Sequence, residues 1–185
     1  MNRKWMKGLL PALLLSLTVY GCDSVSESRL TGPSAGPDEV RIEKVVVGVK
    51  VIMETDAAVG TVSGEFDRAG GILMLGRHKL IIPKHAVKEA TVFTMTKSGS
   101  ALEFELTATS LNSRSKNDVG ARGFREPVRL SISYANTGVS DPSELAVVWL
   151  RSKNNTETQP SSINYDAKTV VGKLDHFSDY ALVDY

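Results

Sequence analysis

Thr91-Val92-Phe93-Thr94-Met95-Thr96 alternates polar and apolar residues strictly, and Leu102-Glu103-Phe104-Glu105-Leu106-Thr107 repeats the pattern. Val128-Arg129-Leu130-Ser131-Ile132-Ser133-Tyr134 does so a third time. A period of two puts each apolar set on one face of a sheet and turns the charged set toward water. Leu145-Ala146-Val147-Val148-Trp149-Leu150 is apolar throughout, which predicts a strand running through the middle of the structure. The β-branched run from Val45 to Met53 predicts another strand, and two more are expected at 169–174 and 180–184. Behind the first 21 residues no segment has sustained helical periodicity; a single helical turn is expected at Lys84-His85-Ala86-Val87-Lys88, just after Pro83. Many short strands separated by turn residues argue for an all-β fold, an antiparallel β-sandwich of two sheets.

Two polar segments, 110–122 and 152–162, are expected to be long loops. The first carries Arg114, Lys116 and Arg122, with Arg125 close behind. A solvated loop is its ordinary role, and a ligand-contacting loop over a rigid scaffold is the sharper alternative.

Ahead of the strands the chain is built differently. Arg3, Lys4 and Lys7 precede an apolar run from Leu9 to Tyr20, which ends in Gly21 and Cys22, the only cysteine of the chain. A basic start, a short apolar centre and a small residue before the cut describe a secretory signal peptide. The run is shorter than a membrane-spanning helix needs, and Pro11 interrupts it. Val19-Tyr20-Gly21-Cys22 resembles the bacterial lipobox, in which the cysteine is lipidated and becomes the mature N-terminus. That resemblance implies a diacylglyceryl and acyl (palmitate-type) attachment at Cys22, holding the protein to a membrane in the cell envelope, on the periplasmic side or at the cell surface. Two or more acyl chains make such an anchor stable. Asp23 follows directly and resembles an inner-membrane retention signal of enterobacterial lipoproteins; because that rule varies between bacterial groups, the leaflet stays open. Residues 23–39 are dominated by Ser, Gly and Pro, the composition of a flexible spacer. The expected organisation is a signal peptide at 1–21, a lipidated cysteine and linker at 22–39, and one β-sandwich domain at 40–185.

Charge narrows the function. The chain has 22 Lys+Arg and 21 Asp+Glu; without the three leader cations the balance is 19 against 21, a net of −2. Nucleic acid is therefore not an expected partner. With one cysteine, the expected domain has no internal disulfide.

Gly70-Gly71-Ile72-Leu73-Met74-Leu75 and Leu80-Ile81-Ile82-Pro83-Lys84-His85-Ala86-Val87 resemble the opening of the ZU-5 domain, a module of zonula occludens proteins, ankyrins, netrin receptors and many bacterial envelope proteins. The Thr-rich strand Thr91 to Thr96 fits next. Phe124-Arg125-Glu126-Pro127-Val128-Arg129-Leu130 matches the family's aromatic followed by Pro-Val and a strand, and His176-Phe177-Ser178-Asp179-Tyr180 matches its close. The likeness runs from about Thr61 to Tyr185. It implies a ZU-5-like sandwich serving as a protein-interaction or structural module, with an envelope protein as partner. Phe124 and Pro127 are expected to plug one end of the sandwich.

Enzyme chemistry finds little purchase. No Gly-x-Ser-x-Gly elbow, His-Glu-x-x-His or phosphate-binding glycine loop occurs, so neither cofactor nor metal is expected. The three histidines, His78, His85 and His176, are expected at the surface without partners. In some eukaryotic relatives His-Phe-Ser resembles a self-cleavage site, which makes His176, Phe177 and Ser178 the candidate residues for autoproteolysis. The Ser178 oxygen would attack the Phe177 carbonyl carbon, the peptide C–N bond would break to leave an ester, and water would hydrolyse it. His176 would act as the base. In the alternative, Phe177 is simply core and its two neighbours face the other way.

Overall fold

The computed structural model describes residues 45–46, 49–112, 119–152 and 155–185. The leader, Cys22, the linker, Arg114, Lys116 and the side chain of Arg122 lie outside that set. In chain order the strands are β1 (Val45–Val46), β2 (Val49–Val51), β3 (Gly60–Phe66), β4 (Gly71–Leu75), β5 (His78–Ile82), β6 (Thr91–Lys97) and β7 (Glu103–Ser110). They continue as β8 (Val128–Ser133), β9 (Leu145–Ser152), β10 (Asn155–Thr158), β11 (Ser161–Asn164), β12 (Thr169–Leu174) and β13 (Asp179–Asp184). Two short 3₁₀ turns, Gly120–Arg122 and Pro142–Glu144, are the only helical elements among the described residues.

These strands form two antiparallel sheets packed face to face, a β-sandwich. One sheet has eight strands and the other five, in the order β11-β12-β8-β5-β4. In the larger sheet β13 is the hub. One of its edges pairs with β9, and the other is shared end to end by β7, along Asp179 to Ala181, and β2, along Val183 and Asp184. From β7 the sheet continues through β6 to β3, and β10 adds to the far side of β9.

Alternation works as expected. Phe93, Met95, Phe104 and Leu106 of the larger sheet are buried in one core cluster with Leu80, Leu130, Ile132 and Leu174 of the smaller. The opposite face of the larger sheet carries a second cluster of Val49, Val51, Val148, Ala181 and Val183. Strand β13 is therefore buried on both faces, which is why Tyr180 to Val183 lacks a polar residue.

Three local expectations are corrected. The run from Val45 to Met53 is not one strand: β1 pairs antiparallel with β2, Val46 opposite Val49. No helical turn forms at 84–88. His85 has φ 68°, in the left-handed region that interrupts a right-handed helical turn, and its N–H donates to the Arg68 carbonyl instead. Residues 152–162 are not a loop either. They supply β10, which pairs with β9, and the start of β11, which pairs with β12, so the chain crosses between the sheets at Gln159 and Pro160. Both strands are edge strands whose side chains mostly face water, so they need no apolar alternation.

Gly70 makes the turn into β4 with a backbone that a side chain would oppose. Its φ is +72°, and a Cβ there would stand 2.3 Å from the Ile82 carbonyl oxygen. Only glycine fits this turn from β3 into β4.

Candidate functional site

His176-Phe177-Ser178 leads into β13 at one end of the sandwich. Phe177 is 6% exposed, with its ring 4.7 Å from that of Phe124 and 5.6 Å from that of Phe93. Phe66 adds an edge-on contact to Phe93 at 5.7 Å. Two backbone bonds fasten the segment: Phe177 N–H donates to the Gly120 carbonyl at 3.0 Å, and Phe124 N–H to the Asp175 carbonyl at 2.8 Å. Phe124 thus plugs this end, while Pro127 is exposed.

The flanking side chains do not form a nucleophile–base pair. The His176 ring packs edge-on against Trp149 at 4.1 Å, and its Nε2, like Trp149 Nε1, is buried without a hydrogen-bond partner. The His176 carbonyl accepts from the Tyr180 hydroxyl at 2.8 Å. Burial raises the Tyr180 phenol above its ordinary range, so it remains a donor. The Ser178 carbonyl accepts from Leu106 N–H at 3.1 Å. No hydrogen bond joins the His176 and Ser178 side chains among the described residues, and neither Phe177 nor Ser178 has positive φ.

Beside the aromatic plug lies a cleft of about 490 Å³, with Val87, Val119 and Phe124 as apolar lining and Lys88, Glu89 and Arg125 as charged lining. Ser110 Oγ donates to Glu89 Oε1 at 2.6 Å, which fixes the carboxylate at the cleft wall. The polar segment 110–122, as far as it is described, borders this cleft through Ser110 and Val119, and Arg125 just beyond it also lines the cleft. A second cleft, about 610 Å³, opens on the outside of the larger sheet and is lined by Glu103, Glu105 and Asp179.

The least expected site is at the opposite end of β6. Glu54, His78 and Lys97 are 5%, 0% and 1% exposed. Glu54 Oε2 lies 3.4 Å from both His78 Nε2 and Lys97 Nζ, and Lys97 Nζ donates to the Gly99 carbonyl at 2.5 Å. His78 Nδ1 accepts from Ser133 N–H at 3.3 Å, so the ring proton sits on Nε2 and points at Glu54. Burial pushes the His78 pKa below the ordinary imidazole value, against the pull of Glu54. Burial likewise lowers that of Lys97. His78 is therefore neutral at neutral pH, and it corrects the expectation of three surface histidines.

His85 sits in the exposed turn after β5 and His176 against Trp149, so the three rings have separate surroundings. Among the described residues no group of three or more His, Cys, Asp or Glu side chains is arranged to hold a metal ion. Sequence reasoning missed the buried cluster because Glu54 lies outside any alternating run, and its partners are 24 and 43 positions away. Lys97, at a core-facing position of β6, was the available signal. No family model matches the chain, and no curated protein matches it.

Proposed function

We propose that this chain is a lipid-anchored cell-envelope protein presenting a ZU-5-like β-sandwich as a protein-interaction or structural module, acting by binding rather than by turnover. The observation that carries the reading is the order of parts: a basic leader, an apolar run, Gly21-Cys22, a Ser/Gly/Pro spacer, then a two-sheet domain. Support for the ZU-5 likeness comes from two of its motif pieces, Phe124 and Phe177, which are 53 positions apart yet touch at 4.7 Å. A further motif residue, Gly70, occupies a turn that only glycine suits. The cleft beside Phe124, with its mixed apolar and charged lining, is the binding surface this reading favours. Metabolic labelling with a fatty acid tests the anchor: wild type should incorporate label and Cys22→Ser should not. Label persisting on Cys22→Ser sinks the lipid anchor.

A further inference from the structure

The outer faces of the two sheets carry opposite charge. On the larger sheet Glu105 of β7 lies directly opposite Asp179 of β13, and both line the acidic cleft with Glu103. On the smaller sheet the outward residues of β4, β5, β8 and β12 include Lys79, Arg129 and Lys173 and no acid. Arg129 and Lys173 are paired across β8 and β12, and like charges directly opposite destabilise a sheet. A local rule broken in this way points to function. Among the described residues none of these three cations joins an ion pair. Glu126, just before β8, is the acid that shares a recess with two of them.

Apolar side chains complete the face. Ile72 and Met74 of the edge strand β4 are 56% and 53% exposed. Ile72 is paired with the half-buried Ile81, and Ile81 with Arg129, in one cross-strand row. Large apolar side chains exposed beside unpaired cations are what an anionic bilayer surface accepts, the cations meeting phosphates while the apolar tips enter the headgroup boundary.

We propose that the outer face of the five-stranded sheet, through Ile72, Met74, Ile81, Lys79, Arg129 and Lys173, docks the domain onto an anionic phospholipid bilayer. The acidic face of the other sheet then points away from the membrane. A second copy fits less well, since the apolar side chains that line the cleft beside the three carboxylates, Met53 and Leu150, are themselves partly buried and offer Ile72 and Met74 little surface. The proposal rests on the reading of Cys22 as a membrane anchor, which would hold the face close to the bilayer.

The test uses the full chain as purified from membranes. Met74→Cys, labelled with an environment-sensitive fluorophore, reports on the docking face, and Ser63→Cys on the outside of the larger sheet is the control. Each is read on vesicles of phosphatidylcholine alone and of phosphatidylcholine with phosphatidylglycerol. The Met74 probe should shift to the blue and be shielded from an aqueous quencher only on the anionic vesicles, while the Ser63 probe stays in water. Each basic side chain near an anionic surface multiplies partition about fivefold, so combining Lys79→Glu, Arg129→Glu and Lys173→Glu should weaken docking about 100-fold or more. A chain that floats with the vesicles but leaves the Met74 probe equally wet on both overturns the docking face and spares the anchor. Mass spectrometry showing no acyl group defeats the anchor instead. The face is then judged by partition of the same protein into added vesicles, where equal binding of wild type and triple variant overturns it. A Met74 shift that needs only higher protein concentration, without vesicles, makes the occupant a second copy and also overturns the proposal.

Discussion

The two ends of this sandwich are closed by opposite chemistry. Where β6 begins, Phe66, Phe93, Phe124 and Phe177 seal the sheets with edge-on and stacked rings. Where β6 ends, the sheets are joined by Glu54, His78 and Lys97, three ionisable side chains almost wholly removed from water. The aromatic end gains stability from area removed from solvent, which is non-directional and indifferent to pH. At the ionic end, burial has a desolvation cost that attraction and hydrogen bonds must offset, so its contribution depends on every partner being present. Strand β6 thus connects an end indifferent to pH to one whose contribution depends on charge.

Removing a ring is the largest perturbation expected. Phe177→Ala should cost about 3 to 5 kcal/mol of unfolding free energy, measured by urea denaturation, with the same loss at pH 7 and pH 5. A loss under about 1 kcal/mol would mean that Phe177 is not part of the core.

Next comes the ion pair. Glu54→Gln keeps the shape and leaves the Lys97 ammonium buried without a counter-charge, at a cost of about 3 kcal/mol. Adding Lys97→Met removes the orphaned charge, so the double variant should recover most of that loss. If the two changes simply add, Glu54 and Lys97 are not coupled.

Acid should separate the ends at smaller amplitude. The unfolded His78 imidazole takes up a proton as pH falls through about 6.5, while the buried ring resists, so the unfolded state binds more protons and stability falls. Above that value the contribution of His78 is fully present. Stability of the wild type and of Phe177→Ala should therefore decline in parallel from pH 7 to 5, and His78→Gln should decline less. An unchanged slope in His78→Gln would assign the acid sensitivity to other groups.

The smallest effect is expected at Ser178, half-buried with no hydrogen bond to its hydroxyl among the described residues. Ser178→Ala should change stability by less than about 0.5 kcal/mol. Denaturing mass spectrometry should find the wild-type C-terminus intact at Tyr185, because His176 is turned to Trp149 rather than to the Ser178 hydroxyl. A substantial fraction ending at Phe177 and lost in Ser178→Ala would establish the self-cleavage reading.

The aromatic end was largely legible in the sequence and the ionic end was not. Phe93 lies in a strict alternation, and Phe124 and Phe177 fall in the pieces that resemble the ZU-5 domain, the first expected as an end plug and the second as core in one of its two readings. Glu54 and Lys97 carry charges that, read one residue at a time, belong in water; only knowledge of their contact reverses that reading. The same limit explains the missed strands. β10 and β11 are polar because they are edge strands, and no period in a polar run distinguishes an edge strand from a loop.

What the sequence by itself determined is local: period-two alternation sets which side chains of β6, β7, β8 and β12 enter the core, and Gly70 and Pro83 set where the chain turns. Tertiary structure alone decided which segments meet. It made β13 the hub between β9, β7 and β2, brought Glu54 to His78 and Lys97, and set Arg129 beside Lys173 on the outer face. The physical reason is that alternation is written in neighbouring residues, whereas pairing and charge compensation are long-range properties that depend on what each strand finds across the gap.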